Sequence, residues 1–129
     1  MVTGRIPDAE LAVLKELWAR GTLTVRQLAE TLYPGAGASE QATVQKLLER
    51  LRARRCVVRR REGRANVWTA AVARDELLRD RLREAAEKLC EGSLAPLLTE
   101  LVHSRRLTAE ELGRLRRMIE EIEPTAEGR

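Results

Sequence analysis

Residues 39–69 read SEQATVQKLLERLRARRCVVRRREGRANVWT. Val44, Leu47, Leu48 and Leu51 fall at i, i+3, i+4 and i+7, the spacing that gives a helix one buried stripe. Ser39, with a hydroxyl suited to N-capping and Glu40 to complement the dipole, marks the expected start of that helix. Ser39, Thr43, Lys46 and Arg50 recur on the opposite side, so that face is polar, hydrogen-bonding and cationic. Val57-Val58 and Asn66-Val67-Trp68 then read as two strands joined by Glu62-Gly63-Arg64-Ala65, where Gly63 allows a positive φ at the tip.

Charge is unevenly placed. Residues 39–64 hold nine Lys or Arg against three Glu, a local net of +6, whereas the whole chain nets +4. The remainder is therefore slightly acidic. Cations concentrated on one helix and the hairpin behind it predict a winged helix-turn-helix that binds double-stranded DNA. The helix would enter the major groove, and the wing would reach phosphate or an adjacent minor groove. On this reading Lys46 donates to guanine O6 or N7 and Thr43 meets a thymine methyl. Arg50, Arg54, Arg59 and Arg61 are expected to meet phosphates, with Arg64 at the wing tip and Ser39 at the helix start completing the interface. Strand alternation sets Arg60 on the face opposite to Arg59 and Arg61.

Working outward, two helices are expected ahead of this segment. Leu11, Leu14, Leu17 and Trp18 predict one from Asp8 to about Arg20, stopped by Gly21. Thr22-Leu23 is a short extended link. Thr24-Val25-Arg26-Gln27 has capping-box spacing and opens a second helix to about Leu32, with Val25, Leu28 and Leu32 inward.

Beyond about residue 71 the pattern becomes helical throughout. Leu78, Leu82, Ala85 and Leu89 have heptad-like spacing, and Gly92 closes that helix. Ser93 is expected to cap the next, with Pro96 in its first turn and Leu94, Leu97, Leu98, Leu101 and Val102 apolar on a broad side. Thr108-Ala109-Glu110-Glu111 is a second capping box, leading into Leu112, Leu115, Ile119 and Ile122. Three short helices with wide apolar faces and no large aromatics do not bury themselves alone, so a homodimer is expected. The expected dimerisation residues are Leu78, Leu82, Leu89, Leu94, Leu97, Leu98, Leu101, Leu112, Leu115 and Ile119. The fold class is thus mainly α with a small β-hairpin: a winged-helix domain over 1–71, a helical dimerisation domain over 72–123 and a frayed tail over 124–129.

Composition excludes several classes. The chain has no Phe, so Leu, Val and Ala must fill the interior around Trp18 and Trp68. No apolar run approaches the roughly 20 residues of a membrane span, and the N-terminus lacks a secretory h-region, so a cytoplasmic setting is expected. Cys56, Cys90 and the single His103 match no ligand spacing, so no metal, cofactor or catalytic residue is expected. His103-Ser104-Arg105-Arg106 offers no nucleophile–base pair, and no phosphate-binding glycine pattern is present. Two other readings remain open: a winged-helix protein-interaction module with an acidic partner, and a ligand-gated repressor with an effector pocket between domains.

Several strings also resemble the penicillinase-repressor (BlaI/MecI/CopY) family of bacterial transcription regulators. They are Glu10-Leu11-x-Val13-x-x-x-Leu17-Trp18, Leu23-Thr24-Val25-Arg26, Thr43-Val44-Gln45-x-Leu47-Leu48-x-Arg50-Leu51 and Gly63-Arg64-x-x-Val67-Trp68-Thr69. Gly92-Ser93-Leu94 and Leu107-Thr108-x-Glu110-Glu111-Leu112 extend the resemblance through the C-terminal half. It implies operator occupancy by a homodimer, with Thr43 and Arg50 on the recognition helix and Gly63-Arg64 at the wing tip. The chain departs from it at Ala42 and Lys46, at Arg55 in place of a glycine, and at Asn66 in place of an aromatic. In antibiotic-responsive members a membrane sensor protease cleaves the dimer domain, commonly at Asn-Phe. The corresponding pair here is Glu100-Leu101, and residues 107–129 lack the cysteines of copper-responsive members.

Overall fold

A computed structural model describes residues 5–104 and 106–127, with the side chains of 119 and 121–127 outside the description. Six helices and one hairpin follow the order α1 (Asp8–Arg20), α2 (Val25–Leu32), α3 (Ala38–Ala53), β1 (Val57–Glu62), β2 (Ala65–Ala70), α4 (Arg74–Leu89), α5 (Ala95–His103) and α6 (Ala109–Glu127). The chain divides into two compact units, residues 1–81 and 82–129, so the division falls inside α4.

The first unit is a winged helix. Helix α1 stops where Gly21 takes φ 89° and its amide bonds the Leu17 carbonyl at 2.8 Å. Helix α2 opens on the expected capping box: the Thr24 hydroxyl accepts the Gln27 amide at 3.1 Å, and the Gln27 side chain accepts the Thr24 amide at 2.8 Å. The cap of α3 differs from the expectation. The helix begins at Ala38 on Gly37, and the Glu40 carboxylate reaches back to accept the Gly37 amide at 2.7 Å. Ser39 therefore lies inside the first turn, where its carbonyl accepts the Thr43 hydroxyl. The Gly37 amide also holds the Glu40 carboxyl below the usual carboxylate range.

Strands β1 and β2 pair antiparallel from Val57↔Ala70 to Glu62↔Ala65, leaving Gly63-Arg64 as a two-residue turn. Gly63 has φ 64° at the first turn position and Arg64 has no positive φ, as a type II′ hairpin requires. Leu23 bridges to Trp68 on the other edge of β2, which ties the link after α1 to the wing. The core gathers Val13, Leu14, Leu17, Leu28, Val44, Leu48, Leu51, Cys56 and Trp68, all nearly inaccessible to solvent. Trp68 is the large piece at its centre, and its indole N–H has no hydrogen-bond partner among the described residues. Trp18 is only half-buried: its indole N–H donates to the Val72 carbonyl at 2.8 Å, and Arg74 stacks over its ring. Leu77 joins the same core, so the first turn of α4 belongs to this unit.

In the second unit, α4 ends where Glu91 and Gly92 take positive φ and the Gly92 amide returns to the Ala86 carbonyl at 2.7 Å. The N-cap position of α5 is Leu94 rather than Ser93, although the Ser93 hydroxyl still accepts the Ala95 amide at 3.2 Å. Helix α6 carries the expected capping box: Thr108 N–H to Glu111 is 2.9 Å and Glu111 N–H to the Thr108 hydroxyl is 3.1 Å. The Thr108 amide holds the Glu111 carboxyl below its usual range. Residues 124–127, expected as part of a frayed tail, continue α6 as far as Glu127. Pro124 sits within that helix and lacks the N–H that would close its own bond four residues back. Residues 128 and 129 of that expected tail lie outside the described residues.

Candidate nucleic-acid interface

Helix α3 buries Val44, Leu47, Leu48 and Leu51 and leaves Ser39, Thr43, Lys46 and Arg50 exposed. The 3.6-residue period lines up these four on one side. Lys46 and Arg50 carry no carboxylate partner among the described residues, so their charge is free to meet an external anion. On the wing, Arg61 and Arg64 are likewise exposed and unpaired among the described residues. Arg64 occupies the hairpin tip, where the turn projects it away from the core.

Arg52, Arg54, Arg59 and Arg60 are instead engaged within the molecule. Arg54, expected at phosphate, turns toward α1: its Nη1 stands 3.4 Å from Glu10 Oε1 and donates to the Arg5 carbonyl at 2.7 Å. Glu10 is 1% exposed, which makes it the one buried charged residue among those described. Arg59 lies over the Trp68 ring, 5.8 Å from its centroid, and 3.8 Å from Glu49. Arg60 pairs with Glu62 at 3.0 Å on the face that strand alternation sets opposite to Arg59 and Arg61.

Glu49 was absent from the residues expected at the site, yet it links helix and wing. Its Oε1 is 3.6 Å from Arg52, its Oε2 is 3.8 Å from Arg59, and the Gln45 amide donates to it at 3.0 Å. The i, i+4 spacing of Gln45 and Glu49 is visible in the sequence, but the reach to Arg59 depends on how the hairpin folds back. Arg55, directly after α3, has φ 64°. It holds the left-handed position where a glycine is ordinarily found, and the Cys56 amide closes the helix on the Leu51 carbonyl at 2.9 Å.

The penicillinase repressor family model matches residues 6–121 of the chain. The chain belongs to the penicillinase repressor family. It is similar to the penicillinase repressor of Bacillus licheniformis, at 24% identity over 117 residues that cover 91% of each chain. Similarity to the transcriptional regulator BlaI of Mycobacterium tuberculosis is 34% identity over 121 residues, 92% of this chain and 86% of the relative. A solution structure of the DNA-binding domain of the repressor BlaI aligns with a TM-score of 0.45 at 25% identity, covering 57% of this chain and 93% of that one. Membership in this family places the chain among transcriptional repressors and not among enzymes. Among the described residues no group of three or more His, Cys, Asp or Glu is positioned to hold a metal ion. No helix of the described residues is long and apolar enough to cross a membrane.

Proposed function

We propose that the chain is a transcriptional repressor that binds a two-fold symmetric operator as a homodimer, with α3 in the major groove and the β1–β2 wing along the backbone. One observation carries the reading. Of the nine cations between residues 39 and 64, Arg52, Arg54, Arg59 and Arg60 have carboxylate partners, which leaves five with none among the described residues: Lys46, Arg50, Arg55, Arg61 and Arg64. All five are exposed, and they sit on the helix, its terminal turn and the hairpin. Unpaired cations clustered on a winged helix match the polyanionic surface of a duplex.

The second half supports a paired chain. Leu78, Leu82, Leu89, Leu94, Leu101 and Leu112 are exposed apolar side chains, and Leu97, Leu98 and Leu115 are half-buried. Ile119, expected beside them, lies outside the described side chains. Water-exposed leucines in this number gain from contact with a second copy, which would also set two α3 helices on one operator. Glu100 and Leu101, the pair corresponding to the sensor-protease cleavage site of relatives, lie exposed within α5, so a protease would have to unwind that helix.

The test is a salt titration of duplex binding by fluorescence anisotropy. With Lys46 on a base edge, the other four cations give four phosphate contacts per protomer and a slope of log K against log salt of about −3.6, or about −7 for the dimer. Lys46→Ala should cost about 1–3 kcal/mol on the operator and relax selectivity at one base pair. Arg64→Ala should weaken binding to every sequence and reduce the slope by about one unit per contact removed. Wild-type affinity in both variants would refute the assignment.

A further inference from the structure

An open cavity of about 440 Å³ lies at the base of the wing, lined by Arg52, Arg55, Val57, Val58, Arg59 and Ala71. Three of its six residues are arginines from three different local structures: the last turn of α3, the left-handed turn after it, and β1. None of the six is acidic. Two of these guanidinium groups share a single carboxylate, Glu49, at 3.6 and 3.8 Å, while Arg55 has no carboxylate partner among the described residues. Those distances are charge contacts longer than a good N–H···O hydrogen bond, and Glu49 is 44% exposed, so the carboxylate is a weakly held and replaceable counter-ion.

We propose that this cavity is a seat for one backbone phosphate of bound duplex, and that Glu49 is its intramolecular competitor. In the free protein Glu49 neutralises part of the charge of Arg52 and Arg59. A phosphate entering the seat meets Arg55 first and displaces Glu49 from the other two, because a phosphodiester offers oxygens suited to several guanidinium groups at once. Glu49 then opposes any duplex whose other contacts do not hold the phosphate in place. It is a specificity-determining residue: its charge penalises loosely docked, non-operator DNA more than the operator. The proposal rests on the DNA-binding reading above.

Two variants test it on the full chain, each measured on operator and on a random-sequence duplex across a salt series. In Arg52→Gln/Arg55→Gly, glycine suits the positive φ at residue 55, and thermal unfolding checks that the fold is retained. The slope of log K against log salt should shrink by about two units per dimer on both duplexes, one phosphate per protomer. Glu49→Gln should raise affinity for random duplex by roughly fivefold at low salt and lower the ratio of operator to random affinity. An unchanged slope in the double variant, with the fold intact, overturns the seat. An unchanged affinity ratio in Glu49→Gln overturns its role as competitor. Wild-type protein that binds no duplex at any salt would refute the DNA-binding reading itself, whereas the first two results leave that reading standing.

Discussion

Arg54→Ala separates a structural arginine from a DNA-contacting one. Reading the sequence alone groups Arg54 with the phosphate contacts, but its guanidinium faces Glu10, whose side chain is 2% exposed, at 3.4 Å. Glu10 Oε1 has no hydrogen bond among the described residues, so Arg54 supplies its charge compensation. Truncating one partner of a buried pair leaves an uncompensated charge and costs about 3–5 kcal/mol. The Arg54 side chain keeps 30% of its exposure, so water screens part of the interaction and the lower end applies, about 3 kcal/mol. The lost bond to the Arg5 carbonyl is exposed and lies within that figure. For a domain of this size such a loss lowers the melting temperature by roughly 12–24 °C.

Urea unfolding followed by circular dichroism is the assay, with the midpoint expected to fall at unchanged slope. Glu10→Leu/Arg54→Met, which replaces both charges by apolar groups of similar bulk, should recover most of the loss or exceed wild type. Because Glu10 is shielded from solvent, added salt should change the Arg54→Ala deficit little. If Arg54→Ala loses under about 1 kcal/mol of stability and instead flattens the salt dependence of DNA binding, Arg54 is a phosphate contact and the structural assignment is wrong.

Removing the hydroxyl in Thr24→Ala should destabilise the winged helix by about 1 kcal/mol in the same urea assay, since the Gln27 amide loses its cap. Burial, the larger influence, pushes the Cys56 thiol above its ordinary range despite the nearby Arg54 charge. The folded state therefore holds that proton more tightly than the unfolded chain. The associated stability is whole below the unfolded thiol pKa, about 8.5, and is lost as pH rises through the folded value. Cys56→Ala should flatten that alkaline loss in urea midpoints taken between neutral pH and pH 10, and iodoacetamide at neutral pH should label half-buried Cys90 well before Cys56. Leu101→Lys replaces a side chain 44% exposed in the single chain, so it should leave helix content unchanged while shifting sedimentation from dimer to monomer.

The helices and the hairpin were legible in the sequence because local rules fix them. The stripe Val44, Leu47, Leu48, Leu51 predicts α3, and the Thr24–Gln27 and Thr108–Glu111 boxes predict two helix starts that the structure reproduces. The start of α3 was misplaced because two caps competed within four residues. Ser39 is the better N-cap by type, but Glu40 reaches farther and satisfies the Gly37 amide, which moves the boundary back. The long-range pairing of charges was not legible. The count of nine cations is a property of the segment, but which of them are free depends on Glu10, 44 residues from Arg54, and on Glu49, brought to Arg59 by the folding of β1. Helical periodicity says that Glu10 shares a side with Val13, Leu14 and Leu17, and a carboxylate there reads as an exposed flank until the partly exposed Arg54 is found to meet it. Net charge therefore overstates what a duplex can use. The charge left unpaired in the free protein is set by tertiary structure, which withdraws Arg54 into the fold, holds Arg52 and Arg59 against Glu49, and leaves Lys46, Arg50, Arg55, Arg61 and Arg64 with no carboxylate partner among the described residues.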